Sequence, residues 1–282
     1  MNAQPMLGSS RGLPQSPMLD LEFAQLSDCG RLRDHNEDYL GSVAPENPAQ
    51  ARHRGWLFAL ADGVGGQDAG EIAARLAVET LLAGFRESRS HEPPAALLAR
   101  LIQTANSRVY DSGAAQPNGK AMATTLVGCL VRFDRAVVAH VGDSRCYLIR
   151  GGHARVLTRD HTVANQNLRM GLLASWQAGE APGRHVLSRS VGNDLVVGID
   201  IAEHQIVPRD VLLLCSDGLH NAVPAGKIAR IVSEAADLPA AAQGLVAIAN
   251  ERDGSDNVSV QLVRIRSVER TGMYRGRPYQ LH

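Results

Sequence analysis

The sequence predicts an α+β fold in which two mostly antiparallel sheets pack face to face and helices cover them on the outside. Three observations predict it. Short apolar runs bounded by turn residues, above all residues 56–61 and 211–215, read as strands buried on both faces. Residues 68–85, and a second stretch from Pro93-Pro94 to about residue 110, have helical spacing of apolar side chains. Consecutive strand patterns at 123–132, 136–141 and 145–149 are joined by short links, which favours an antiparallel meander.

Taken in order, residues 1–18 are rich in Pro, Gly, Ser and Gln and read as a disordered leader. An alternating strand follows over 21–27, and Cys29-Gly30 turns it toward a charged stretch, Arg31-Leu-Arg33-Asp-His-Asn36-Glu37-Asp38, and a short strand at 39–43. After the two helices, residues 111–120 read as a loop, and Gly151-Gly152 turns the meander into a strand at 153–157. The stretch 158–184 has no sustained strand period, although 167–176 would suit a short helix; a segment this long inside a compact domain is commonly functional. Strand patterns resume at 185–187, 202–207 and 211–215, helices are expected at 225–236 and 239–251, and 257–265 alternates as a final strand. The tail from residue 267 is basic and expected to be loose. One domain over residues 19–266 accounts for the pattern.

The acids stand out by position. The run 56–61 stops at Asp62-Gly63-Val-Gly-Gly66, the run 211–215 at Ser216-Asp217-Gly218, and the run 136–141 at Gly142-Asp143-Ser144. With Asp38 and Asp256, these acids all fall at strand boundaries, so one end of a two-sheet sandwich would gather them. Like charges buried together need a positive charge among them. Oxygen ligands of this type suit Mg2+ or Mn2+. The plainer reading is that each Asp caps a helix or closes a turn. Arg33 is either a surface ion pair or a guanidinium held beside the acids to receive a phosphate.

Composition narrows the alternatives. In 282 residues, 29 basic and 29 acidic side chains cancel, against a general nucleic-acid or membrane-surface binder. No apolar run reaches the roughly 18 residues of a membrane span, and the first residues lack the apolar core of a signal peptide, so a cytoplasmic protein is expected. The four cysteines, Cys29, Cys129, Cys146 and Cys215, form no Cys-x-x-Cys pair, which leaves zinc and redox motifs unsupported. Cys129 and Arg135 have the spacing of a cysteine phosphatase, but the residues between them continue a strand pattern and contain no glycine.

The ordered motifs Gly30-Arg-Leu-Arg33-Asp-His-Asn36-Glu37-Asp38, Ala61-Asp62-Gly63-Val-Gly-Gly66, Ala123-Thr-Thr125-Leu, Val141-Gly142-Asp143-Ser144-Arg145, Leu157-Thr-Arg-Asp160-His161, Ser188-Arg-Ser-Val-Gly192, Cys215-Ser-Asp217-Gly218-Leu219 and Ser255-Asp256-Asn257-Val258 resemble those of bacterial metal-dependent Ser/Thr protein phosphatases of type 2C, the PPM family. The resemblance covers about residues 21–265 and implies an αββα sandwich. It implies two Mn2+ or Mg2+ ions bridged by Asp62, one completed by Asp217 and Asp256. The other is held by the Gly63 carbonyl, with Glu37 and Asp38 near it or on its waters. Asp143 with Asp217 would take a third, weaker ion, and Arg33 would grip the substrate phosphate. The implied reaction is hydrolysis of phosphoserine and phosphothreonine on proteins by a metal-activated water, without a covalent intermediate. The expected partners are phosphorylated proteins, including a Ser/Thr kinase that the enzyme opposes; no nucleic acid, no membrane and a monomer are expected.

Two departures are visible. Animal members carry a histidine two places after the bridging Asp, where this chain has Val64; metal-bound water or His161 are the remaining leaving-group acids. The segment at about 159–184 corresponds to the family's variable flap and has no residue-by-residue match. A phosphoprotein-binding module without turnover and a two-metal hydrolase of diesters or small phosphates are the competing readings; the full set of acids and the neutral charge count against them.

Overall fold

The computed structural model describes residues 18–64, 68–88, 92–116, 122–174, 181–274 and 277–280. The predicted leader lies outside the described residues apart from Met18, as does part of the glycine cluster after Asp62. The chain begins with β1 (Asp20–Asp28), β2 (Asp38–Val43), α1 (Pro48–His53) and β3 (Trp56–Val64). Two long helices follow, α2 (Asp68–Glu87) and α3 (Pro94–Ala114), then β4 (Ala123–Thr124), β5 (Leu126–Arg132) and β6 (Arg135–Val141). Next come β7 (Arg145–Arg150), β8 (His153–Val156), α4 (Val163–Arg169), β9 (Asp200–Gln205) and β10 (Val211–Cys215). The chain closes with α5 (Asp217–Ala222), α6 (Ala225–Glu234), α7 (Leu238–Arg252), β11 (Val258–Ser267), β12 (Thr271–Tyr274) and β13 (Arg277–Gln280).

A five-stranded sheet in the order β1-β11-β10-β7-β8 faces a six-stranded sheet built on β2-β3-β5-β6-β9, and the pairings within both are antiparallel. The period of two explains why the central strands read as unbroken apolar runs. On β3, Phe58 and Leu60 point between the sheets, while Leu57, Ala59 and Ala61 point to the layer of α2 and α3. On β10, Leu212 and Leu214 join the space between the sheets, and Val211, Leu213 and Cys215 face α6 and α7. Alternate side chains therefore serve two cores, and the predicted helix–sheet–sheet–helix layering is observed.

The meander breaks where the sequence predicted that it would continue. β6 and β7 lie in different sheets, and Gly142-Asp143-Ser144 carries the chain from one to the other. Gly142 has φ +103, and a Cβ there would sit 2.6 Å from the Thr125 side chain, so only glycine fits the corner. This corner turns Asp143 out of both ladders.

Other differences have local causes. The strand expected over 123–132 is interrupted at Thr125, where the side-chain hydroxyl accepts from Asp62 N of the neighbouring strand β3. Helix α3 runs to Ala114, past the expected loop start, because it ends only where Ala115 donates back to Asp111 O. α1 and α5 were not foreseen; the Asn47 side chain caps α1 by accepting from Gln50 N, an Asn-Pro start that also reads as a turn. The helix expected over 167–176 lies earlier, since Thr162 caps α4 by accepting from Asn165 N. Residues 185–187 make no strand; Leu187 forms only an isolated bridge to Thr162. In the tail, β12 and β13 pair with each other.

Candidate metal centre

The strand ends of both sheets meet at one cleft of about 860 Å3, lined by Arg33, Glu37, Asp62, Gly63, Asp143, Asp217 and Asp256 among others. Asp38 pairs with Asp62 in the β2–β3 register and lies buried beneath the floor. Every site residue expected from the sequence therefore falls at this one end of the sandwich. The plainer reading holds in one respect: Asp217 does open a helix, as the first residue of α5.

Backbone and hydroxyl contacts fix the acids. Asp62 N donates to Thr125 Oγ1 at 2.9 Å, and Thr125 N donates to Asp62 O at 2.8 Å. Thr124 Oγ1 adds a donation to the same carbonyl at 2.8 Å, and Thr125 Oγ1 shares a hydrogen bond with Ser144 Oγ at 2.7 Å, beside Asp143. Gly63 N donates to Glu37 O at 3.1 Å, and a Cβ on Gly63 would come within 2.3 Å of Gly70 O, so the glycine permits the close approach of loop and helix. Asn257 stitches the Arg31–Glu37 stretch to β11: its Oδ1 accepts from Glu37 N at 2.8 Å, and its Nδ2 donates to His35 O and Cys29 O. These Thr and Asn residues had no expected role; polar side chains beside strand-end acids are the signal that could have found them. Arg33 Nη2 reaches both carboxylate oxygens of Asp256, at 3.0 and 3.1 Å, on an open face of the cleft.

The electrostatics are those of a crowded anionic site. Burial, followed by the charges of Asp38, Asp217, Asp143 and Asp256, raises the Asp62 carboxyl well above its ordinary value. Burial pushes Asp38 up to about 7, as it does Asp143, where Asp217 adds to it. Asp217 rises to about 6 by burial and then by Asp256. Glu37 is also raised by burial, against the pull of Arg33. Among the described residues, Asp38, Asp62, Asp143 and Asp217 form no ion pair. Both carboxylate oxygens of Asp38 are buried without a hydrogen bond of ordinary geometry. The nearby hydroxyls of Ser259 and Ser216 ease its charge; Ser259 Oγ also shares a hydrogen bond with Ser27 Oγ at 2.7 Å, and Ser216 Oγ accepts from Ser259 N at 2.9 Å. A group of buried acids with orphaned oxygens at Asp38, and with Arg33 on the open face as its counter-charge, fits hard divalent cations.

His161 is not a leaving-group acid. It does not line the cleft; its Nδ1 accepts from Gly142 N at 3.2 Å and its Nε2 faces Asp200 at 3.4 Å. Burial, and then His140 stacked at 4.8 Å, pushes it down to about 4, so it is neutral near pH 7. His140, His161 and Asp200 form a second group of metal-type donors, but Arg189 Nη1 already lies 3.0 Å from Asp200 and 3.4 Å from His161, and His140 Nε2 bonds Arg159 O at 2.7 Å. A guanidinium supplies the positive charge there. The cysteine-phosphatase spacing is a hairpin: Cys129 is fully buried on β5 and Arg135 opens β6.

Two antiparallel sheets under helix layers, with a carboxylate cleft where their strands end, define the architecture of the PPM class of metal-dependent phosphatases. The family model Protein phosphatase 2C matches residues 33–251, and the chain belongs to that family. The serine/threonine phosphatase stp of Listeria innocua is 34% identical over 254 residues, 89% of this chain and 96% of that protein. Protein phosphatase PhpP of Streptococcus pneumoniae is 31% identical over 245 residues, 86% of this chain and 97% of that protein. The S. agalactiae serine/threonine phosphatase structure superposes with a TM-score of 0.80 at 30% identity, covering 88% of this chain and all of that one. The catalytic domain of the phosphatase PstP, solved with 2 manganese ions, superposes with a TM-score of 0.73 at 29% identity, over 89% of this chain and 100% of that one.

Proposed function

We propose that the protein hydrolyses phosphoserine and phosphothreonine on proteins, using Mn2+ or Mg2+ and no covalent enzyme intermediate. The observation that carries this is the convergence of Asp38, Asp62, Asp143, Asp217 and Asp256 at one cleft without enough positive charge to balance them. Asp62 would bridge two cations; Asp217 and Asp256 complete one of them, and the Gly63 carbonyl, Glu37 and Asp38 serve the other. Asp143 with Asp217 offers a weaker third position. When bound, the cations activate a water for in-line attack and offset charge on the phosphoryl oxygens.

The chain's own groups do the rest. Arg33, half exposed at the cleft and tied to Asp256 by an ion pair too open to be worth much, is free to turn its fork onto a phosphate. Thr124 and Thr125 hold the Asp62 backbone, which sets the point from which its side chain enters the cleft. A thiol route is closed: Cys129, Cys146 and Cys215 are buried in the cores, and Cys29 Sγ is bonded to Arg33 O. Residues 19–266 form the catalytic domain, and the flap at 159–184, which sets Arg184, His185, Val186 and Leu187 on the cleft wall, chooses the substrate. The enzyme acts as a cytoplasmic monomer in signalling, opposite a Ser/Thr kinase; among the described residues no helix is long and apolar enough to cross a membrane.

Purified protein given a phosphothreonine peptide is expected to release phosphate with Mn2+ and to stop on chelation. Release that continues in excess EDTA rejects the metal-dependent reaction.

A further inference from the structure

A second cavity, of about 360 Å3, lies at the base of the flap, lined by Arg159, Arg169 and Arg189 together with His161, Asn165 and Ser188. We propose that this cavity holds a second phosphate group, distinct from the one hydrolysed, and that the enzyme thereby favours proteins phosphorylated at more than one position; this rests on the phosphatase function above.

Charge is the first argument. In a chain whose formal charge is zero, this wall concentrates guanidinium groups. Its acid, Asp160, is turned to Arg145, which donates to both of its oxygens at 2.9 and 2.7 Å. Arg189 is bound to Asp200 at 3.0 Å. Arg159 and Arg169 have no ion pair among the described residues, so two forks remain for an anion from outside. Planar guanidinium groups donate in pairs to oxyanions, and two unpaired forks can offset the double negative charge of a phosphate. Thr162 accepts from Asn165 N and the Asn165 side chain donates to Asp160 O within the turn that starts α4, so the charged donors of the cavity are its arginines.

Position is the second. A groove of about 350 Å3 shares Asp143, Arg184 and His185 with the acidic cleft, and shares Asp160, Thr162 and Asn165 with the basic cavity. One continuous surface therefore leads from the hydrolysed phosphate to the arginines. An extended polypeptide lying along it would place one phosphoresidue in each, with Met170 exposed on the wall of the basic cavity itself. The two cavities have opposite character. Phosphate enters the first through cations held by acids, and the second through fixed arginines.

The source of the second phosphate is either the same polypeptide or free inorganic phosphate. Full-length protein in Mn2+ should be assayed on singly phosphorylated peptides and on partners that differ only by a second phosphothreonine at successive spacings. At one spacing kcat/KM should rise about tenfold, mainly through KM, and the double substitution Arg159→Gln with Arg169→Gln should abolish that gain, leaving the singly and doubly phosphorylated peptides with the same kcat/KM. Calorimetric titration with inorganic phosphate should find a site that this double variant lacks. A phosphate site without a spacing preference assigns the cavity to free phosphate. Absence of both the spacing preference and the arginine-dependent phosphate site overturns the proposal, and because the titration needs no turnover, failure to hydrolyse the singly phosphorylated peptide counts against the phosphatase reading alone.

Discussion

Strand β10 has an aspartate just beyond each end, and the two have opposite surroundings. Asp210, 1% exposed, accepts from Arg150 Nε and Nη2 at 2.7 Å each and from Val207 N at 2.8 Å. Asp217, at the other end, has no ion pair among the described residues; Asn221 donates to it at 3.2 Å, and burial and Asp256 outweigh the pull of Arg33. Both follow or precede the same apolar run. One has its cation within the chain; the other end collects acids from both sheets with Arg33 beside them on the open face. A buried acid that the fold satisfies is architecture, and a group of acids that the fold leaves unsatisfied is a binding site.

The sharpest way to break this comparison is to neutralise one acid at each end. Asp62→Asn or Asp217→Asn is expected to lower phosphatase turnover by on the order of a thousandfold, with a fold no less stable in the absence of metal. Asp210→Asn is expected to leave turnover per folded molecule intact but to cost about 2 kcal/mol, less than a fully buried pair because Arg150 is half exposed. Steady-state kinetics and urea unfolding of the same proteins check both. Equal loss of activity from the two ends would erase the distinction.

Protons and metal should compete at one end only. The carboxyls of Asp38, Asp143 and Asp217 are raised to between about 6 and 7, above their unfolded values, so the folded state binds the extra protons. In chelator, their contribution to stability is therefore greatest below pH 4 and is lost as pH rises through 6 to 7. Mn2+ should reverse that loss, adding about 2.7 kcal/mol at a hundredfold excess over its dissociation constant, and Asp62→Asn should remove most of the gain. Thermal melts with EDTA and with Mn2+ across pH 5 to 8 read this directly. A stabilisation by Mn2+ that Asp62→Asn leaves unchanged would place the ion elsewhere.

Much of this arrangement was legible in the residues. The apolar runs ending at Asp62 and Asp217 announced both the central strands and the acids at their ends, because a strand buried on both faces has no other reason to stop at a charge. The layering followed from helical and twofold periods. The Gly142 corner was not legible as a change of sheet, since a short link between strands normally closes a hairpin and only the Thr125 side chain across the sheet makes the corner necessary. Nor was the difference between Asp210 and Asp217, because the guanidinium that satisfies the first comes from Arg150, sixty positions away. The flap gave no period, and its capped turn at Thr162 was masked by the weak helical signal after it.

A smaller effect is expected from Arg33→Ala. Its pair with Asp256 is open to solvent, so stability should change little, whereas loss of a forked phosphate donor should lower kcat/KM by about ten- to a hundredfold. Arg33→Lys should recover only part of this, since an ammonium keeps the charge without the fork.

The smallest effect tests the device behind the corner. His161 N donates to Gly142 O at 2.9 Å and its Nδ1 accepts from Gly142 N, so the ring fastens the residue that aims Asp143. That tautomer puts its proton on Nε2, facing Asp200 on the side away from the cleft. Removing the ring as His161→Ala frees the Gly142 N–H and loosens Asp143, but leaves Asp62 and Asp217 in place. Turnover at saturating Mn2+ should then fall only about threefold, with a larger rise in the Mn2+ concentration that gives half-maximal rate, in keeping with residues that act through a ligand's neighbour. Because His161 is held near 4 and is neutral from pH 6 to 9, the pH profile should keep its shape. Loss of the alkaline limb in the variant would instead make the ring a proton donor to the leaving group. That outcome would require it to swing out of a pocket where it is 4% exposed and stacked on His140.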